Sequence, residues 1–351
     1  MDFIQEPVLS VRNLKTYFFQ DEGVVKAVDG ASFDVYKGKT LGVVGESGCG
    51  KSVTAKSLLR IVESPGKIVQ GEIILQKSEN NCGNGKEKTK SESKEVDLAK
   101  LDPNGKEIRN IRGKEIALVF QEPMTSFSPV HSIGNQLLEA IQLHQKVSKG
   151  EAQKIAIQIL QSVEIPRAQG RLKEYPFQLS GGLRQRTMIA MALSCNPNIL
   201  IADEPTTALD VTTQAQILDL MRGLQAERAM AIILITHNMG VIAEMADGVV
   251  VMYLGRVVEK GLVDNIFHNP QHPYTRGLLS SIPSVLGRPR EMLPTISGSI
   301  PHPFNRPSGC PFHPRCKHFL PGICDRYEPE LTHLDNGQEV SCFLYHEPTK
   351  I

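Results

Sequence analysis

The sequence contains no tryptophan, and aromatic residues make up only 5% of it. Long apolar runs are also missing: the longest, from Ala229 to Ile235, has seven residues, whereas a helix that spans a membrane needs about 20. Neither sign of charge is in marked excess, because the sequence has 39 basic and 38 acidic residues. These absences argue against a membrane-spanning chain and against a general nucleic-acid binder, which would carry a basic surface.

The N-terminus lacks the features of a secretory signal, since the opening MDFIQEPVLS has no basic region followed by an apolar stretch. We therefore expect a cytosolic protein whose seven cysteines are reduced unless they bind something. What the 351 residues do contain is 40% apolar side chains. That content is enough to bury a sizeable core, and it excludes disorder of the whole chain.

The order of the patterns along the chain predicts an α/β fold. The first 75 residues favour strands, among them TLGVVG, which runs directly into a glycine-rich loop. Further along, the apolar strands NILIADE and AIILITH alternate with segments of helical spacing, which is typical of a parallel sheet. We interpret the helical residues between Gln121 and Ser180 as an inserted subdomain, and the polar stretch 77–100 as a solvated loop.

Residues 45–52, GESGCGKS, fit the pattern G-x-x-x-x-G-K-[S/T] without a mismatch, between a predicted strand and a predicted helix. Glycines allow a tight loop whose backbone N–H groups, with the positive end of the helix, cradle phosphate oxygens. Lys51 supplies a positive charge to the β- and γ-phosphates, and the Ser52 hydroxyl can ligate Mg²⁺. The pattern predicts a phosphate loop in which Cys49 is a small filler residue.

Two carboxylates, Asp203 and Glu204, end the apolar strand NILIADE. A buried strand does not usually end in this way without a cation nearby. In a fold with a phosphate loop, the first carboxylate holds Mg²⁺ and the second can activate the attacking water.

A second anion site is predicted where Ser180, Gly181 and Gly182 open a helix within the motif LSGG, because the glycines expose N–H donors at a positive helix end. LSGG, followed by a helix and then by the strand ILIADEP, resembles the ATP-binding subunit of ABC transporters, over residues 7–260. Further motifs match the family in its own order. FQEP with Gln121 is similar to its Q-loop, TTALD with Asp210 to its D-loop, and THN carries its switch histidine, His237.

The resemblance implies a P-loop NTPase fold, with a parallel sheet core, an N-terminal antiparallel β subdomain and a helical subdomain at about 122–190, within an ATPase domain of residues 1–262. It also implies that ATP is bound between two subunits, with the phosphate loop of one facing Ser180 and Gly182 of the other. The adenine would stack on an aromatic residue near the start of the chain. We favour Tyr17, with Phe18 second and Phe19 as a third candidate.

The residues that the resemblance implies fall into three groups. The catalytic residues are Lys51, Gln121, Glu204 and His237. The Mg²⁺ ligands are Ser52, Gln121 and Asp203. The ATP-binding residues are Tyr17, Gly45, Ser47, Gly48, Cys49, Gly50, Lys51, Ser52, Gln121, Ser180, Gly181, Gly182, Asp203 and Asp210.

The last part of the chain, 263–351, is predicted to be an irregular extension. The stretch from VVEKG to SSIP, residues 257–283, resembles the C-terminal region of oligopeptide and dipeptide importer ATPases. The resemblance implies an ATPase at the cytoplasmic face of the membrane, working with a second ATPase subunit, as heterodimer or homodimer, two permease subunits and an external solute-binding protein. Relatives that move nickel or oligosaccharides are the first alternative, and a soluble ABC ATPase the second. A catalytically dead subunit is disfavoured because Lys51, Glu204 and His237 are present.

Four of the seven cysteines crowd into this extension, within a segment rich in proline and histidine that cannot bury much apolar surface. A bound metal would help to hold such a segment. There is no C-x-x-C, so the spacing alone does not name a zinc site. Four thiolates suit zinc, with His313, His318 or His333 as substitutes, and an iron–sulfur cluster equally well. The resemblance favours a four-iron–four-sulfur cluster, with zinc as the runner-up, on Cys310, Cys316, Cys324 and Cys342.

Overall fold

The structure is a computed structural model that describes residues 6–77, 94–122, 126–282 and 295–346. The chain divides into two compact units. Unit 1 comprises residues 1–36, 40–101 and 236–351, and unit 2 comprises residues 37–39 and 102–235.

The strands of the described residues are β1 (Leu9–Gln20), β2 (Gly23–Val35), β3 (Thr40–Val44), β4 (Gly66–Lys77), β5 (Lys94–Asp97), β6 (Ile116–Val119), β7 (Ile199–Asp203), β8 (Ala231–Thr236), β9 (Gly248–Tyr253), β10 (Arg256–Leu262), β11 (Thr332–His333) and β12 (Glu339–Val340). The α-helices are α1 (Lys51–Leu58), α2 (Lys106–Ile111), α3 (Ile133–His144), α4 (Lys149–Ser162), α5 (Ala168–Arg171), α6 (Gly181–Leu193), α7 (Val211–Arg228), α8 (Met239–Met245), α9 (Val263–His268) and α10 (Pro273–Ser280). Short 3₁₀ turns lie at Leu98–Lys100, Pro176–Gln178, Pro303–Asn305 and His313–Arg315.

Unit 1 contains two sheets. The first is antiparallel, in the order β2-β1-β4-β5. In the second, β3 pairs in parallel with β9, and β10 pairs antiparallel with both β9 and β12. β3 and β9 are buried at every residue, which is why their sequences are nearly continuous apolar runs and do not alternate.

Unit 2 carries the parallel strands β6, β7 and β8, which pair in that order. Local hydrogen bonds explain where its helices α3 and α4 begin. The Ser132 hydroxyl caps α3 by accepting from the N–H of Asn135, and Ser148 with Glu151 forms a capping box at the start of α4. Their apolar residues at helical spacing, including Leu137, are buried as α3 and α4 pack together.

The polar stretch 77–100 is not a loop at its C-terminal end. β5 pairs with β4 from Ile74 to Lys77, and the 3₁₀ turn that follows buries Leu98 completely. Val96 and Leu98 provide the apolar side chains that the preceding residues lack, so pairing becomes favourable there. Residues 78–93 of the predicted loop lie outside the described residues.

The C-terminal extension packs into the core of unit 1. Cys310, Phe312, Cys324 and Phe343 are all at most 9% exposed and join one hydrophobic cluster with Tyr253 of β9. The expectation that this segment buries little apolar surface is therefore wrong. The segment has few aromatic rings and thiols, but these side chains are large or apolar. They bury the apolar surface that its prolines and histidines do not.

Across the ranges that the structure describes, no helix combines the length and the apolarity needed to cross a membrane.

Candidate functional site

The phosphate loop connects β3 to α1, as the sequence predicts. Two of its glycines, Gly45 and Gly50, are required because neighbouring backbone lies too close for a side chain. A Cβ on Gly45 would lie 2.2 Å from the carbonyl oxygen of Met252, and one on Gly50 would lie 2.1 Å from the carbonyl oxygen of Ala27. Gly50 also has a φ of 101°, in the region that favours glycine, and it forms the N-cap of α1. A side chain at either position would displace the loop from the strands beside it.

The Lys51 ammonium lies inside this loop, with the residue only 5% exposed. Nζ donates to the carbonyl oxygens of Gly45, at 2.7 Å, and Glu46, at 3.1 Å. Because charged oxygens are stronger acceptors than carbonyl groups, the same ammonium is placed to bind a phosphate. The Cys49 side chain is buried against it, and burial raises the pKa of the thiol. This is consistent with the small filler residue that the sequence predicts.

The three candidates for stacking on adenine lie in β1. The Tyr17 hydroxyl donates to Oδ1 of Asp29, at 2.7 Å, and burial together with that hydrogen bond raises the pKa of the phenol. Phe18 packs close to Gly66, whereas Phe19 is 46% exposed. The carboxylate of Asp29 is held in turn by Arg306, with 2.6 Å between Nη1 and Oδ2. The extension therefore fixes the partner of Tyr17.

In unit 2, the two carboxylates follow each other at the end of β7. Asp203 is 8% exposed, and Glu204 has a φ of 48°, which is uncommon for a residue with a side chain. The N–H of Glu204 donates to the carbonyl of Ile235 at 2.8 Å, so the turn is held by β8. Strained backbone of this kind is concentrated at functional sites.

One oxygen of the Glu204 carboxylate accepts two hydrogen bonds. Nε2 of Gln121 lies 3.1 Å from Oε2, and the hydroxyl of Thr207 lies 2.8 Å from the same atom. The predicted Q-loop residue and the predicted base are thus brought together. Thr207 was missed as a functional residue, although its place three residues after Glu204 in the turn TTALD could have indicated it.

The signature and D-loop residues stand at two helix starts in unit 2. The Ser180 side chain accepts from the N–H of Leu183 at the start of α6, and Asp210 caps α7 by accepting from the N–H of Thr213. That hydrogen bond lowers the pKa of Asp210. A Cβ on Gly182 would lie 2.9 Å from the Thr213 side chain, whereas Gly181 has no such constraint. Gly182 is therefore the glycine of the pair that packing requires.

His237 follows β8 directly and is exposed. Its neighbour Asn238 caps α8 through Oδ1, which accepts from the N–H of Gly240 at 2.9 Å. The cap fixes the turn on which the predicted switch histidine stands.

Each predicted residue of the ATP site belongs to one of the two units. Tyr17, the phosphate loop and His237 belong to unit 1, whereas Gln121, Ser180 to Gly182, Asp203, Glu204 and Asp210 belong to unit 2.

The four cysteines of the extension share one environment. Burial, together with the nearby thiols of the other three, raises the pKa of Cys310 to about 12. Burial likewise raises the pKa of Cys342, to about 11. In three of the four cases a backbone N–H two residues further on donates to the sulfur; the donors are Phe312 to Cys310, His318 to Cys316 and Leu344 to Cys342.

Within the described ranges, however, no group of three or more histidine, cysteine, aspartate or glutamate side chains is placed to hold a metal ion. A zinc site needs its sulfurs about 2.3 Å from one ion. Neither the predicted iron–sulfur cluster nor its runner-up, zinc with His313, His318 or His333 as substitutes, therefore has a preformed ligand group there. The structure gives the predicted metal centre no direct support beyond the shared environment of the thiols.

Comparison with known proteins gives two family matches. Residues 28–207 match the ABC transporter family, and residues 258–324 match the oligopeptide/dipeptide transporter C-terminal region. The oligopeptide transport ATP-binding protein AppD of Bacillus subtilis is 48% identical over 341 residues, which cover 97% of each chain. The dipeptide transport ATP-binding protein DppD of the same organism is 46% identical, covering 97% of this chain and 95% of its own.

Solved structures show the same fold. A dimeric ATP-binding cassette bound to ADP and phosphate, in a post-hydrolysis state, matches with a TM-score of 0.60 and 24% identity, over 73% of this chain and 98% of its own. The cassette CbiO1 from Clostridium perfringens matches with a TM-score of 0.59 and 24% identity, over 76% of this chain and 92% of its own.

Proposed function

Because this chain belongs to the ABC transporter family, as an ATP-binding subunit of the oligopeptide and dipeptide importer type, we propose that it drives the import of di- and oligopeptides by hydrolysing ATP. The chain is an ATPase with the P-loop NTPase fold of ABC cassettes. The observation that carries the choice of substrate is the match of residues 258–324 to the peptide-importer C-terminal region. Import of nickel or an oligosaccharide is the first alternative, and a role outside transport is the second.

Two such subunits bind ATP between them in this proposal, with the phosphate loop and Tyr17 of one facing the LSGG residues of the other. The solved relative that is a dimer with ADP and phosphate supports a dimeric arrangement. The partner is a paralogous ATPase subunit, or a second copy of this chain. Both act at the cytoplasmic face of the membrane on two permease subunits, which an external solute-binding protein supplies with peptide.

The proposed chemistry assigns one role to each group. The phosphate loop, with Gly45, Ser47, Gly48 and Gly50, binds the phosphates through backbone N–H groups, and Lys51 offsets their charge. Ser52, Gln121 and Asp203 provide the ligands for Mg²⁺, which neutralises charge on the β- and γ-phosphates when it is bound.

Glu204 accepts the proton of the attacking water, and His237 senses the γ-phosphate. The two hydrogen bonds from Gln121 and Thr207 to Oε2 of Glu204 support this assignment, because they orient the carboxylate before water arrives.

We also propose that the four cysteines of the extension hold a four-iron–four-sulfur cluster with a structural role. Four thiolates are the usual ligands of such a cluster. Backbone N–H groups that donate to the sulfurs of Cys310, Cys316 and Cys342 fit this, since they stabilise thiolate charge. With no cluster present, burial keeps these thiols protonated, so cluster binding would release protons.

Replacement of Cys316 by serine is therefore expected to lower the iron and sulfide content of anaerobically purified protein from about four each per chain to near zero. It should also speed proteolysis within residues 301–351, because metal binding and folding of such a segment are coupled. Cys195→Ser is the matched control, since Cys195 lies in unit 2 and its thiol contacts the carbonyl of Ala140. The cluster assignment would be wrong if the wild-type protein contained no iron and all four thiols reacted freely with a thiol reagent.

The proposed function is tested by reconstituting the chain in liposomes with its permease subunits and a binding protein of known ligand. We expect ATP hydrolysis to rise at least about tenfold when a peptide-loaded binding protein is added, and labelled peptide to accumulate inside. Nickel and an oligosaccharide are the comparison ligands. Stimulation by either of these and not by peptide would assign a different solute to the same ATPase.

A further inference from the structure

The second residue of the phosphate loop, Glu46, is held by the C-terminal half of the chain. The Arg315 guanidinium donates two hydrogen bonds to its carboxylate, 2.7 Å from Nη1 to Oε2 and 3.0 Å from Nη2 to Oε1. The backbone N–H of Glu46 donates to the hydroxyl of Tyr274 at 2.8 Å. Side chain and main chain of this loop residue are therefore both fixed by residues far along the sequence.

Arg315 is itself firmly placed, with its side chain only 4% exposed. Its Nε donates to the carbonyl of Ser297 at 3.2 Å, and the guanidinium carbon lies 5.8 Å from the ring centroid of Tyr253. The Tyr253 ring packs in turn on the rings of Tyr274 and Phe312, and the centroids of the three rings are 4.7 to 5.4 Å apart. Because the guanidinium is buried, binds the carboxylate through two nitrogens and is also fixed through Nε, the Arg315–Glu46 pair has a defined geometry. A surface ion pair lacks these constraints.

The pairing matters for the charge of the loop. Glu46 lies next to Gly45 in a loop whose amides and lysine attract anions, and a carboxylate there opposes phosphate binding unless it is neutralised. The carbonyl of Glu46 also accepts from the Lys51 ammonium, at 3.1 Å. Movement of Glu46 would therefore disturb the loop cation as well as the local charge.

We propose that Arg315 is a positioning residue for ATP binding: it neutralises and fixes Glu46, so that the C-terminal extension sets the affinity of the phosphate loop for nucleotide. The inference rests on the proposed function in one respect, namely that the loop binds ATP. It adds a residue that belongs to no ATPase motif and lies between two cysteines of the extension.

The test compares four forms of the full chain in titrations with a fluorescent ATP analogue. Arg315→Met should raise the Kd about tenfold, because an unpaired carboxylate is left beside the phosphate site. Adding Glu46→Gln to that variant should restore the Kd to within about threefold of wild type, since the charge that repels phosphate is gone. Arg276→Met is the matched control; Arg276 lies in the same extension but donates to Pro270 and Tyr345.

In the assembled transporter, Arg315→Met should raise the KM for ATP by a similar factor while kcat at saturating ATP stays within about twofold of wild type. Equal weakening by Arg315→Met and by the double variant would mean that Arg315 only supports the fold, and would overturn the inference. An unchanged Kd for Arg315→Met would overturn it too. If the wild-type chain failed to bind the analogue at all, the proposed function itself would fall first, and the inference with it.

Discussion

Replacing Glu204 by glutamine should leave ATP binding intact and lower the turnover number of the assembled transporter by at least about 100-fold. The amide has the shape of the carboxylate but cannot take the proton of the attacking water. It can still meet Gln121 and Thr207, whose donors hold Oε2 at 3.1 and 2.8 Å, through its own oxygen. Binding and hydrolysis should therefore separate, and the two ATPase subunits should accumulate in an ATP-bound pair.

The measurement is steady-state phosphate release together with crosslinking of the two subunits in the presence of ATP. Glu227→Gln is the control, because Glu227 is an exposed carboxylate at the far end of α7 in the same unit. It should leave both readouts unchanged. Turnover of Glu204→Gln within a few-fold of wild type would show that another group takes the proton.

Replacing Lys51 by alanine should abolish ATP-driven transport and weaken nucleotide binding by roughly 100-fold, since a charge-assisted contact to phosphate contributes about 1.5–3 kcal/mol. The loss has two parts. The phosphates lose a cation, and the carbonyls of Gly45 and Glu46 lose their donor, so the loop also becomes less defined. Binding should therefore fall together with hydrolysis, unlike in the Glu204 variant.

Lys56→Ala provides the comparison, because Lys56 lies on the same helix but pairs with Glu63 at the surface. It should bind the fluorescent analogue as wild type does. Wild-type hydrolysis by Lys51→Ala in the assembled transporter would mean that residues 45–52 are not the nucleotide loop.

The parts of the site that could be predicted are those whose cause is local. GESGCGKS needs Gly45 and Gly50 because neighbouring backbone leaves no room for a side chain, and the LSGG serine caps its own helix, so both motifs can be recognised from short patterns. The same holds for the apolar runs of β7 and β8, which are buried at every residue. In each case the residues that carry the signal are neighbours in sequence.

The contacts that could not be predicted join distant residues. Arg315 and Glu46 are 269 positions apart, and neither belongs to a periodic pattern. The extension looked separable from the ATPase domain because its composition changes sharply, yet Cys310, Phe312 and Phe343 lie in the core of unit 1. The composition of a segment indicates how much apolar surface it can bury by itself. It does not indicate how much it can bury against another part of the fold.

The strand pairing of unit 1 also has a consequence for how the protein is made. β3 pairs with β9, β9 pairs with β10, and β10 pairs with β12. The sheet therefore joins residues near position 42 to residues near 250, and residues near 260 to residues near 340. Contacts so distant in sequence form slowly and after the intervening chain exists. During synthesis the phosphate loop therefore emerges long before Tyr274 and Arg315, which hold it. Over that interval its apolar strands lack their partners, and unpaired apolar strands are prone to aggregation.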